Sequence, residues 1–120
     1  MKLPTRNRSW LKEVKLAYLK AEKAHLKADG DLLEIYKLAP KFVAKNRGIT
    51  SEGTINEMIE YSKADVAHGK RVDPGSERNY LFHFVASYID GHHVAGLVDE
   101  MECDKIMEYV NYEWDLFPNA

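Results

Sequence analysis

Four residues in the second half of the chain carry its best prospect of chemistry: His83, Asp90, His92 and His93, with Asp99, Glu102 and Cys103 a short way downstream. Imidazole and carboxylate ligate zinc and iron, and they also make a general base with its orienting partner. His83 and Asp90 are two helical turns apart on one face, and the His92-His93 pair follows Gly91, which could fold it back towards them. The spacing matches none of the specific ligand patterns, neither His-x-x-x-His nor Cys-x-x-Cys nor His-Glu-x-x-His. Adjacent histidines also point in different directions on a helix. A polar stripe ending in a wet helix terminus accounts for the same residues, and no metal or other cofactor is expected.

Other chemistries have thinner support. Glu22-Lys23-Ala24-His25 has the Glu-x-x-His spacing of a carboxylate-bridged di-iron bundle, but Asp65-Val66-Ala67-His68 is only an aspartate version of the required second motif. A histidine bonded at the edge of a core explains His25 as well. Cys103 falls on an apolar helical seam, where a thiol is inert packing. No serine sits in a Gly-x-Ser-x-Gly elbow, and there is no Walker loop or Gly-x-Gly-x-x-Gly.

Charge divides the chain more sharply than its net −2 suggests. Residues 1–47 hold twelve Lys/Arg against five acids, a net +7, and residues 48–120 hold the remaining five against fourteen acids, a net −9. Such asymmetry marks either a polyanion-binding face or two halves that complement each other. Arg6, Arg8, Lys12, Lys15, Lys20, Lys23 and Lys27 could line a phosphate backbone, with Lys41, Lys45 and Arg47 as a second basic patch. Against nucleic acid, leucines are interspersed among those lysines and no helix-turn-helix spacing is present.

The elements that must position these residues are helical. Tyr80–Ile89 is the most apolar stretch, and its polar neighbours Ser76, Asn79, His83, Ser87 and Asp90 share one helical face, whereas a strand would scatter them. This predicts a nearly buried central helix over about 76–90, entered through Asp73-Pro74-Gly75-Ser76 and stopped at Asp90-Gly91, with one narrow wet stripe. A first helix is expected over 9–29, with Trp10, Val14, Ala17, Tyr18, Ala21, Ala24, His25 and Ala28 on its core face. A short helix capped by Asp31 and running over Asp31–Ala39 should be kinked or ended by Pro40, with a turn or two resuming over Lys41–Asn46, and another should run from a cap at Thr54 or Ser51 to about Ala67. The last, over 99–117, opens with acids that suit the helix dipole and carries a core seam of Cys103, Ile106, Met107, Val110, Trp114 and Phe117. The fold class is therefore all-α: a compact single-domain bundle of four to six helices around the central one.

The first and last helices are two-sided. Leu16, Leu19 and Leu26 sit away from the core face among Lys12, Lys15, Lys20, Lys23 and Lys27, which have no acid placed to pair with them along the helix. On the last helix Met101, Tyr109, Tyr112 and Leu116 make a second ridge beside an acidic stripe of Glu100, Asp104, Glu108 and Asp115. The two faces match chemically, either within one chain or between two copies. The function favoured is a small non-enzymatic helical interaction or regulatory protein, acting as a homodimer or by binding a partner protein. Its contact residues would be Leu16, Leu19, Lys20, Lys23, Leu26, Lys27, Glu100, Asp104, Glu108, Tyr109, Tyr112 and Asp115. The alternatives are a metal-dependent enzyme using His83, Asp90, His92 and His93, and a nucleic-acid-binding protein using the basic first helix. One cysteine, no apolar leader and no membrane-length apolar run lead to the expectation of a cytoplasmic, non-membrane protein.

Overall fold

Five helices account for most of the computed structural model: α1 (Asn7–Ala28), α2 (Glu34–Arg47), α3 (Glu52–Val72), α4 (Tyr80–Val94) and α5 (Glu100–Trp114). The structure describes residues 3–4, 6–28, 34–72 and 80–115, and the side chains in those ranges except 25–28, 34–36 and 70. The radius of gyration, 13.6 Å, equals the ~14 Å expected of a packed chain of this length. None of the described helices is long and apolar enough to cross a membrane.

Helix α4 is the hub and packs against all four others, most extensively against α2. Its Phe84, Val85, Tyr88 and Ile89 are fully enclosed. From α1 come Trp10, Val14, Ala17 and Ala21, all buried as their 3/4 spacing requires, while Ala24 is exposed. From α5 come Cys103, Ile106 and Val110, with Met107 and Trp114 packed at the margin. The start of α5 is set by Asp99, whose side chain accepts a hydrogen bond from the Glu102 amide at 2.7 Å. Its end is set by Asp115 in the left-handed region (φ 54°), whose amide bonds back to the Asn111 carbonyl.

Three sequence expectations are corrected. The first concerns Pro40: of the kink or end expected there, the end does not occur, and α2 is one helix through Pro40 and the expected turns of Lys41–Asn46 to Arg47. A proline inside a helix costs about 3 kcal/mol, but Ala39, Pro40 and Val43 are all buried against the core, and this packing outweighs the local penalty. Second, α4 continues past Asp90-Gly91 to Val94. Gly91 is not in a left-handed conformation; it is there because the α2 and α3 side chains come close. A methyl group on it would lie 3.2 Å from Met58 Cε and 3.5 Å from Val43 Cγ2. Third, the polar stripe of α4 is not wet: His83 and Ser87 are buried, and Ser87 Oγ lies 2.7 Å from Ser62 Oγ of α3 in a hydrogen bond. The proposed entry Asp73–Ser76, and Asn79, lie outside the described residues.

A glycine that serves close packing responds to size rather than to backbone angle. Gly91→Ala should be nearly neutral, because a gain in helix propensity of up to ~1 kcal/mol offsets a small displacement of the flexible Met58 tip. Gly91→Leu should cost about 1–3 kcal/mol through overpacking, measured by urea unfolding. Equal losses in the two variants would contradict this role.

Candidate functional site

The most concentrated polar chemistry lies where α1, α2 and α4 meet. Arg47, in the last turn of α2, is 5% exposed, yet its guanidinium is always charged. One of its terminal nitrogens is paired with Glu13 Oε1 of α1. Its Nε donates to His92 Nε2 of α4 at 3.0 Å, and its Cζ lies 5.4 Å from the centre of the Trp10 ring. Trp10 in turn meets His92 edge to face, with ring centroids 4.7 Å apart. Tyr88, one turn before His92, donates its hydroxyl to Glu13 Oε1 at 2.6 Å and accepts from Asn46 Nδ2 at 2.9 Å.

These partners fix the protonation of His92. Arginine can only donate, so Nε2 must be bare and the ring proton sits on Nδ1, where it bonds to the Tyr88 carbonyl at 2.9 Å. Burial disfavours the imidazolium, and the positive Arg47 adds to this, so the His92 pKa falls to about 4. The Tyr88 hydroxyl is raised well above its usual value, mainly by burial and also by its bond to Glu13. Each ring nitrogen of His92 and the Tyr88 hydroxyl thus have assigned bonds within the cluster. Chemically, the arrangement holds three helices in register.

The four residues with metal-ligating potential do not converge. His92 emerges on the opposite side of α4 from Asp90 and both its ring nitrogens are engaged, while His93 is exposed. Asp90 Oδ1 accepts from the Cys103 thiol at 3.3 Å. Burial raises the Asp90 pKa; burial, aided by Asp90, pushes the Cys103 thiol up to about 12, which leaves it protonated and unreactive at neutral pH. Among the described residues no three His, Cys, Asp or Glu side chains are grouped to hold an ion. Arg47 is likewise removed from the second basic patch, since it is buried against Glu13.

Leu16 and Leu19 are 56% and 60% exposed, and Lys20 and Lys23 are exposed beside them. On α5, Glu100, Asp104, Glu108, Tyr112 and Asp115 are exposed, Tyr112 at 82%, while Tyr109 is half-buried. The side chains of Leu26 and Lys27, and all of Leu116 and Phe117, lie outside the described residues. Among the described residues the two faces do not cover each other within the chain. The α1–α5 contact is made by the flanks instead, where Tyr18 meets Trp114 edge to face at 5.9 Å and Lys15 Nζ lies 5.5 Å from the Trp114 ring centre. Among the described residues no ion pair joins an α1 lysine to an α5 acid.

Sequence reasoning missed Glu13, Asn46, Arg47 and the role of Tyr88. A signal was present: Glu13 falls between Trp10 and Ala17 at i+3 and i+4 spacing, on the edge of the core face, and has no lysine four residues on. An acid in that position needs a cation from another element.

No family model, curated protein or solved structure matches this chain.

Because the folded protein keeps His92 neutral down to about pH 4 while an unfolded chain protonates it near 6.5, the unfolded state binds more protons between those values. Stability should therefore fall as pH drops through that window. Asp90, whose pKa is raised, acts in the opposite sense, and comparison with His92→Gln cancels it. Between pH 7 and pH 4.5 the wild type should lose about 2 kcal/mol more than His92→Gln in urea unfolding. Equal losses would contradict the assignment.

Proposed function

We propose that this chain is a small non-enzymatic helical interaction protein that works as a homodimer, with the outer faces of α1 and α5 as its contact surfaces. The observation that carries this is the joint exposure of Leu16 and Leu19 in a lysine surround. Single exposed leucines are ordinary on protein surfaces. Two, one turn apart on a helix that already buries a separate core seam, need a different explanation.

Magnitudes indicate that both helices must contribute. Burying what is still exposed of Leu16 and Leu19 in both copies of a two-fold dimer would be worth about 3–7 kcal/mol, which reaches only the lower part of the about 4–15 kcal/mol that association costs in lost rigid-body freedom. The α1 face alone falls short. The α5 face adds Met101 and Tyr112, 69% and 82% exposed, together with acids of opposite sign to the lysines. In a two-fold dimer each α1 face would meet the partner copy's α5 face, so each attractive contact would occur twice. Placement in the cytoplasm belongs to the same proposal and is supported by the single, unpaired Cys103.

Light scattering coupled to gel filtration tests the proposal. The wild type should approach twice the 13.8 kDa chain mass as its concentration rises, and Leu16→Glu with Leu19→Glu should return it to the single-chain mass with helicity unchanged. A wild type that stays at 13.8 kDa, or a variant that still doubles, would overturn it.

A further inference from the structure

Between α1 and α2 lies a cavity of about 280 Å³, whose wall includes Leu16, Lys20, Phe42, Lys45 and Asn46, with Glu13 and Arg47 also in its lining. Ligand pockets run from about 300 to 1,000 Å³, so this one lies at the lower end of that range and has room for a single large side chain. Its apolar part is Leu16, Ala17 and the half-buried Phe42, and its rim carries two exposed ammonium groups, Lys20 and Lys45. Arg47 and Glu13 offset each other as a pair, so the unbalanced charge at the opening is positive. The matching occupant is an aromatic ring flanked by carboxylates.

The same chain carries such a group. Among the described residues Tyr112 is the most exposed large apolar side chain, with Glu108 one turn before it and Asp115 three residues after, both exposed. We infer that the α1/α2 cavity receives Tyr112 of a second copy of this chain, with the second copy's Glu108 and Asp115 set against Lys20 and Lys45. This rests on the homodimer proposed above and names the contact within it. Its own Tyr112 cannot serve, because α1 separates α5 from the cavity: α2 meets α1 on the Glu13 flank and α5 meets it on the Tyr18 and Lys15 flank. The leucine and lysine face lies between those flanks. A two-fold axis along α1 therefore places each copy's α5 over the other's cavity, and the contact closes at two copies.

The test is a charge exchange monitored by analytical ultracentrifugation. Variant one is Lys20→Glu with Lys45→Glu. Variant two is Glu108→Lys with Asp115→Asn, since asparagine tolerates the left-handed backbone at that position. Each alone should raise the dimer dissociation constant at least about tenfold, and an equimolar mixture should recover affinity to within a few-fold of the wild type, because both contacts in the mixed dimer are then complementary. Tyr112→Ala should weaken the dimer by a similar factor. Recovery on mixing also shows that both variants are folded. Failure of the mixture to recover would overturn the inference, as would a dimer indifferent to these changes yet lost with Leu16→Glu and Leu19→Glu; that last result would leave the homodimer standing. A wild type that never dimerises would overturn both.

Discussion

A charge that cannot be neutralised has been carried into the interior, and the surrounding structure is arranged to hold it. Arg47 is almost fully enclosed, and taking an ion out of water costs several kcal/mol unless each of its groups finds a partner. The partners come from three helices: the Glu13 carboxylate from α1, a neutral imidazole from His92 on α4, and the face of Trp10 from α1. Tyr88 completes the arrangement by donating its hydroxyl to Glu13 and accepting from Asn46. A buried ion pair of this kind is weak support for stability and better support for register, because loss of any one partner strands the rest.

Register is what links this interior cluster to the surface. With Glu13 tied to α2 and Tyr18 set against Trp114 of α5, the rotation of α1 about its own axis is determined from both flanks. Leu16 and Leu19 are then directed outward, although both are as apolar as the residues inside. A rotation by one residue position, about 100°, would bury a different set and separate Glu13 from Arg47. The exposed leucines follow from a constraint on the neighbouring flank of the same helix, where Glu13 meets Arg47.

Much of this was legible in the residues, and the failures have common physical causes. The described core seams of α1 and α5 follow from 3/4 spacing, and the start of the last helix near Asp99 follows from its opening acids. A helix end at Pro40 and a stop at Gly91 are what local propensity suggests, and burial prevails over both: Pro40 is packed into the core, and Gly91 is small because Met58 and Val43 lie against it. The environment of His83 and Ser87 is not legible from α4 alone, since Ser87 meets a serine that lies 25 positions away in the chain. Glu13, Arg47 and His92 are likewise joined over long separations. A helical wheel describes one helix at a time, and a bond between two of them is visible only after both are packed.

The claim on which the rest stands is that His92 is a neutral acceptor for Arg47. Long-range nitrogen–proton correlation spectra of the folded protein at pH 7 and pH 5 examine it directly. The account predicts a His92 ring protonated at Nδ1 and bare at Nε2, unchanged between the two conditions. A ring protonated at Nε2, or an imidazolium at pH 5, would contradict it.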